Sequence, residues 1–271
     1  MTELKQRSNL WRRLRIGDIT ASRFGDVLTT SLAKGVFAVD GERGGWRVIT
    51  NGEVISGDYT RKADADEKRA ELAAEWRKTH WSQTAESYLD EKLSEWINGQ
   101  PADVWKADAV EWGTANEPYA FEAALPVIQE RFGQSLSTPV DECAYIHHAT
   151  EPYIGCSPDG IIGDDGLLEL KCPYSGAKWI RAKRAFDRGE WTVPAENLAQ
   201  VQGSLWVADR SWYAFCYFDP RVRASGLDPL LMIKVERDDD YINNVLAPRV
   251  CAFRDYLVTT YHAMIGGKAP F

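Results

Sequence analysis

Between residues 143 and 172 the chain reads as short apolar runs, CAYIHHA, PYIGC, DGIIG and GLLELKC, separated by Gly and Asp turns. Runs of that length bounded by turn residues are strand signals. Upstream the period changes. Leu72, Trp76, His80, Leu89, Leu93 and Trp96 fall on roughly helical spacing over 64–98, and Asn98-Gly99 supplies a stop. Residues 8–30 predict a helical entry, a break at Gly17 and a second helix with Thr20 and Ser22 as candidate caps. In 31–66 an Asn51-Gly52 pair sits between two β-rich runs, a strong hairpin signal. A helix is predicted over 112–124, with Pro118 near its start. Helices return at 176–188 and 195–208, SWYAFCYFD and PLLMIKVER read as strands, and 238–264 closes as a helix. This order predicts an α/β fold with a central mixed β-sheet flanked by helices. With no repeat and no linker, residues 1–271 are expected to form one domain.

One strand carries charge where its pattern asks for apolar residues. In Leu167-Leu168-Glu169-Leu170-Lys171-Cys172, alternation puts Leu168, Leu170 and Cys172 on one face and Glu169 and Lys171 on the other. The first face is expected to serve the core, and the second to present a carboxylate beside an ammonium. Asp159 lies ten residues earlier, across the Gly163-Asp164-Asp165-Gly166 turn, so a hairpin returns it to Glu169. Two carboxylates and a lysine at one point suit metal-assisted phosphodiester hydrolysis. Hard oxygen ligands hold Mg²⁺, and the metal activates water. A lysine can orient the water, help deprotonate it or neutralise the transition state. Asp followed by Glu-x-Lys has the form of the PD-(D/E)xK nuclease signature, which is short. The rival reading is a surface Glu169–Lys171 pair on an edge strand, with Asp159 serving the turn. Against it, the flanking leucines argue for burial, and buried charges need partners.

Composition narrows the classes. The chain is 44% hydrophobic with a net charge of -8, which argues against a coat protein binding nucleic acid over its whole surface. A locally basic channel remains compatible with that charge. No stretch reaches the length and apolarity of a membrane helix, and the charged N-terminus has no secretory core. Five scattered cysteines without CxxC pairs point to free thiols in a reducing compartment, not structural zinc. His147 and His148 cannot share a strand face and read as a strand edge.

GCSPDGIIGDDGLLELKCPY resembles the core of the λ exonuclease / YqaJ-type family of viral recombination nucleases. Further blocks resemble that family in the same order: WRRLRIGDITAS from Trp11 to Ser22, Trp112-Gly113 with Glu117, Ala199-Gln200-Val201-Gln202 with Trp206, Asp219-Pro220-Arg221, and Val235-Glu236-Arg237-Asp238. The resemblance implies a restriction-endonuclease-like PD-(D/E)xK core. Asp159 and Glu169 would be metal ligands with the Leu170 carbonyl, Lys171 the catalytic lysine, and Glu117 a further acid supporting a second ion. Gln200 would position the water or the scissile phosphate, and Arg15 and Ser22, with Ser157 nearby, would hold a DNA 5′-phosphate. Each has a plainer rival. Glu117 before Pro118 is also a first-turn acid favoured by the helix dipole. Arg15 also belongs to a solvated cluster with Lys5, Arg12 and Arg13, and Ser22 could serve only as a cap. Gln200 and Gln202 are also ordinary surface residues, of which only one shares a face with Ser204 and Val207, Gln200 being favoured.

The resemblance further implies a Mg²⁺-dependent 5′→3′ exodeoxyribonuclease acting on double-stranded DNA ends, with two ions per site and Mn²⁺ also permitted by the oxygen ligands. It would release mononucleotides and leave a 3′ single-stranded tail. A homotrimer ring, a single-strand annealing protein as partner, no membrane, and the bacterial host cytoplasm complete the expectation. Two other readings stay open: an endonuclease or differently polarised nuclease, and a non-catalytic DNA-end scaffold. The sequence departs from the family in two places. The segment between Ser22 and Glu117 is long, suggesting an insertion around 31–66, and Lys178 stands near where the family tends to place an arginine. Lysine is then the available cation for the phosphate, without the bidentate fork.

Overall fold

A computed structural model describes residues 9–29, 36–42, 45–102, 108–137 and 145–266. Cys143, Lys5 and part of the expected insertion lie outside them. The chain divides into two compact units, one formed by residues 1–25 and 91–271, the other by Asp26–Asp90.

In the smaller unit β2 (Ala38–Glu42), β3 (Gly45–Thr50) and β4 (Glu53–Tyr59) form an antiparallel sheet in that order. Asn51 (φ 49°) and Gly52 (φ 84°) both adopt left-handed backbone, and Thr50 pairs with Glu53, as a two-residue type I′ hairpin requires. Helix α3 (Lys62–Thr79) lies against all three strands. The single helical stretch expected over 64–98 is two helices, because the chain turns extended at His80 before α4 (Gln83–Asn98). Buried Ser82 restarts it: its Oγ accepts from Ala85 N at 3.1 Å, and its carbonyl accepts from Glu86 N at 2.9 Å. Ser82→Ala is expected to cost about 1 kcal/mol, read as a lower denaturation midpoint with unchanged slope; no change in midpoint would remove the cap from this account.

In the larger unit, β5 (Leu136–Ser137), β8 (Gly160–Ile162), β9 (Gly166–Lys171), β10 (Trp212–Phe218) and β11 (Leu230–Glu236) make a mixed sheet ordered β11-β10-β9-β8-β5. Only β9 and β10 run parallel; the other neighbours are antiparallel. Helix α5 (Asp108–Phe132) packs Ala120, Ala124 and Ile128 against one face with Leu168, Leu170 and Cys216. Helices α6 (Gly176–Phe186) and α7 (Ala195–Ala208) pack Trp179, Val201 and Leu205 against the other, with Leu167, Tyr213 and Phe215. Both faces of β9 are therefore covered. This corrects the expectation of a one-sided strand: Glu169 is 3% exposed, inside the protein. A second sheet joins β1 (Ile19–Thr20), β7 (Ile154–Cys156) and edge strand β6 (Ile146–His147). After Asp239–Tyr241 and a π-helical turn at Ile242–Leu246, a helix from Ala247 to Ile265 closes the chain. No helix among the described residues is long and apolar enough to cross a membrane.

Candidate active site

The β8–β9 hairpin sets the first two acids opposite each other. Gly160 pairs with Leu168, so Asp159 and Glu169 come next in register. Asp159 N donates to Leu168 O at 2.9 Å, and its Oδ2 accepts from Leu170 N at 2.7 Å. Glu169 is held from three sides. Its Oε1 lies 2.6 Å from Lys171 Nζ and accepts from Gln200 Nε2 at 2.6 Å, while Oε2 accepts from Tyr213 Oη at 3.3 Å. Lys171 Nζ also donates to Gln200 Oε1 at 3.0 Å. One amide thus ties the carboxylate to the ammonium. Tyr213 carried no signal in its own strand. Its contact follows from the β9–β10 register, which pairs Phe215 with Glu169 and brings Tyr213 to the same face.

These groups open into one cavity of about 250 Å³. Glu117, Asp159, Glu169, Leu170, Lys171 and Gln200 line one part of it. Trp11, Arg15, Ala21, Ser22, Ser157 and Ser204 line the rest. The parallel register of β1 with β7 explains part of that convergence: Thr20 pairs with Gly155, and Ser22 and Ser157 each follow two residues later. Trp11 Nε1 donates to Ser157 Oγ at 3.1 Å, and the Arg15 guanidinium lies 4.1 Å from the Trp11 ring centroid. Trp11 and Ser204 carried no assigned role in the sequence, and only the fold places them here.

Several expectations change. Glu117 is not a first-turn acid, because α5 begins at Asp108 and Pro118 lies inside the helix. Thr20 does not cap the turn after it. Residues 21–23 form a 3₁₀ turn without a side-chain cap, and Thr20 Oγ1 lies 3.3 Å from Ser22 Oγ. Gln202 is not a surface residue: buried, it donates to Glu236 O at 2.9 Å and accepts from Asp238 N at 2.8 Å. Lys178 is not among the cavity's lining residues; it pairs with Glu196 at 2.9 Å. The four described cysteines are free.

The electrostatics of the site are those of crowded, buried carboxylates. Burial, then the charges of Glu169 and Glu117, hold the Asp159 carboxyl well above its usual range, against the pull of Lys171 and the Leu170 N–H. Burial lowers Lys171, but the charges of Glu169, Asp159 and Glu117 and its bond to Glu169 outweigh this and leave it raised. Burial, then Glu117, Asp159 and Asp219, push the Cys172 thiol up to about 12. Such a cluster calls for positive charge. A hard cation fits the donor chemistry: two facing carboxylates, with the Leu170 carbonyl on the same edge as the N–H that meets Asp159. Among the described residues no three His, Cys, Asp or Glu side chains are spaced to close on one ion, so backbone or solvent oxygens would complete the shell.

The fold is shared with known nucleases. The alkaline exonuclease LHK-Exo of Laribacter hongkongensis superposes with a TM-score of 0.63 at 22% identity, covering 96% of this chain and 97% of that one. The same enzyme in complex with dAMP gives 0.63 and 22%, over 95% and 96%. A phage-related exonuclease from Haemophilus somnus 129PT gives 0.51 at 13% identity, over 92% and 95%. No curated protein matches the chain. Residues 71–211, just over half of the sequence, match the YqaJ-like viral recombinase domain, and the match includes the hairpin with Asp159, Glu169 and Lys171. The chain belongs to the YqaJ-like viral recombinase domain family, and by that membership it is a nuclease acting on DNA.

Proposed function

We propose that the protein is a divalent-metal-dependent exodeoxyribonuclease. It degrades one strand of linear duplex DNA in the 5′→3′ direction from a 5′-phosphorylated end, releases mononucleotides and leaves a 3′ tail for strand annealing. The observation that carries this reading is one cavity lined both by Asp159, Glu169 and Lys171 and by Arg15, Ser22 and Ser157. An acidic hydrolytic cluster that shares its cavity with a cation and two hydroxyls suits a phosphodiester next to a terminal phosphate. A dAMP complex of the Laribacter fold relative is of the product class expected here.

Asp159, Glu169 and the Leu170 carbonyl would hold the metal, with Glu117 supporting a second ion beside them. Bound there, Mg²⁺ or Mn²⁺ supplies Lewis-acid activation of water and of the phosphoryl oxygens. The protein's own groups do the rest. Water attacks phosphorus in line, and the bond to the 3′-oxygen breaks. Lys171 directs positive charge at the phosphoryl oxygens as charge builds on them. Gln200 fixes that ammonium relative to Glu169, so little reorganisation accompanies the reaction. Arg15, Ser22 and Ser157 grip the terminal phosphate and set which bond lies over the acids. A homotrimer ring, a single-strand annealing partner and action in the bacterial cytoplasm belong to the same reading, as does one nuclease domain over 1–271 with a family-variable insertion around 31–66.

The test is a linear duplex labelled at one 5′ end, with and without its phosphate, in Mg²⁺ or EDTA, beside a covalently closed circle. Early release of label from the phosphorylated end, abolished by EDTA, is the expected result. Cutting of the circle would replace the exonuclease with an endonuclease, and binding without cutting in any metal would leave a scaffold.

A further inference from the structure

The cavity wall that carries Arg15 and Ser22 is held from behind by a buried acid outside the cavity. Asp18 lies between them, at the turn from the Asn9–Leu14 helix into β1, and is buried. One of its oxygens, Oδ2, accepts from Tyr145 Oη at 2.9 Å and lies 2.9 Å from His147 Nδ1. Tyr145 is buried, whereas the His147 side chain is 60% exposed. The two rings meet edge to face at 4.9 Å. Tyr145 reaches Asp18 by crossing β7 at Gly155, where a Cβ would come within 2.1 Å of the phenol oxygen. A glycine at this position is therefore part of the contact. Gly155 is also the register partner of both Thr20 and His147, so the three-stranded sheet aligns the clamp with the wall.

A second buried carboxylate holds the same turn. Glu95 Oε2 accepts from Gly17 N at 2.8 Å and from Lys92 Nζ at 2.7 Å. Gly17 has φ 80°, and Trp96 fills the space a Cβ there would need. Burial pushes the Asp18 carboxyl up, and Tyr145, His147 and Lys92 oppose that rise, so its charge depends on these neighbours. None of these groups lines the cavity. They act on the cavity from outside it, through the backbone they fix and the charge they place near Arg15.

We propose that Asp18, with Tyr145 and His147, is a positioning element that sets the Arg15–Ser22 wall and so determines discrimination for a terminal phosphate. The proposal rests on the reading of that wall as the phosphate grip. Its prediction concerns binding and not turnover. Tyr145→Phe and His147→Ala each remove one hydrogen bond to Asp18. Each is expected to raise KM for 5′-phosphorylated ends about three- to tenfold, leaving kcat at saturation and KM for 5′-hydroxyl ends near those of the unmodified protein. His147→Asn keeps a donor near the place of Nδ1 and is expected to recover most of the loss. Exposed His147 can be removed without opening the core, so this variant keeps the test usable if Tyr145→Phe unfolds. A KM ratio between phosphorylated and hydroxyl ends that stays at the unmodified value in folded His147→Ala overturns the inference while leaving the proposed function standing. So does a fall in kcat at unchanged KM, or equal loss with His147→Asn. An unmodified protein that makes no distinction between the two ends overturns the phosphate reading itself, and the inference with it.

Discussion

Lys171→Ala is expected to lower turnover on linear duplex DNA by about 10²–10³-fold, the usual loss when one preorganised charge is removed from a transition state. The same variant should move stability in a direction that separates it from its neighbour. In chelator it leaves Glu169 buried without the ammonium that lies 2.6 Å away. A loss of about 1–2 kcal/mol is expected, below the roughly 3–5 kcal/mol of a fully buried pair because Lys171 keeps some contact with water. Glu169→Gln does the reverse. It keeps oxygen and nitrogen atoms for Gln200 and Tyr213 while removing one of the charges that, after burial, hold Asp159 up. Turnover should fall as far, yet the melting temperature in chelator should equal or exceed that of the unmodified protein. Single-turnover assays and thermal melts in EDTA check both halves. Turnover within a few-fold of normal in Lys171→Ala would remove it from the chemistry. Melting points that fall together in the two variants would show that carboxylate crowding is not what the site stores.

The second large effect lies at Gly203. Alanine in place of a helical glycine ordinarily stabilises by about 1 kcal/mol. Here a Cβ would come 2.3 Å from the Phe24 ring, which is fully buried and packed against Trp206 at 6.1 Å. The ring has nowhere to go, so overpacking of about 1–3 kcal/mol wins and the sign reverses. The strain also falls between α7, which carries Gln200 and Ser204, and the 3₁₀ turn that carries Ser22. Gly203→Ala should therefore lower the melting temperature and reduce kcat/KM by roughly 10–10²-fold, as small misplacements of reacting groups do. A variant that melts higher than the unmodified protein would show that α7 and the turn have room to separate.

The residues that meet within a few positions of each other are legible in the sequence. Alternation marked the strands, Asn51-Gly52 marked its own turn, and the short link between Ile162 and Gly166 placed Asp159 opposite Glu169. A hairpin register follows from loop length, and loop length is written in the sequence. Gln200 was separated from Gln202 by helical spacing alone, and the two side chains do point to different partners. The same local rules misled at helix ends. Pro118 suggested a start that tertiary packing of Ala120, Ala124 and Ile128 overrides, and one helical period over 64–98 concealed the break that Ser82 repairs.

What the sequence by itself determined is therefore most of the strands and helices, the pairing of two acids across one turn, and the chemical class those acids and Lys171 suggest. The tertiary structure alone decided the rest. It covered the second face of β9 and so desolvated Glu169 beside Lys171. It brought Ser22 to Ser157 through a parallel pairing of segments more than a hundred residues apart, and it gave Lys178 to Glu196 instead of the cavity. It placed Tyr145 over Gly155 to reach Asp18. Period and loop length encode neighbours along the chain, whereas desolvation and charge coupling depend on distances through space that only packing sets.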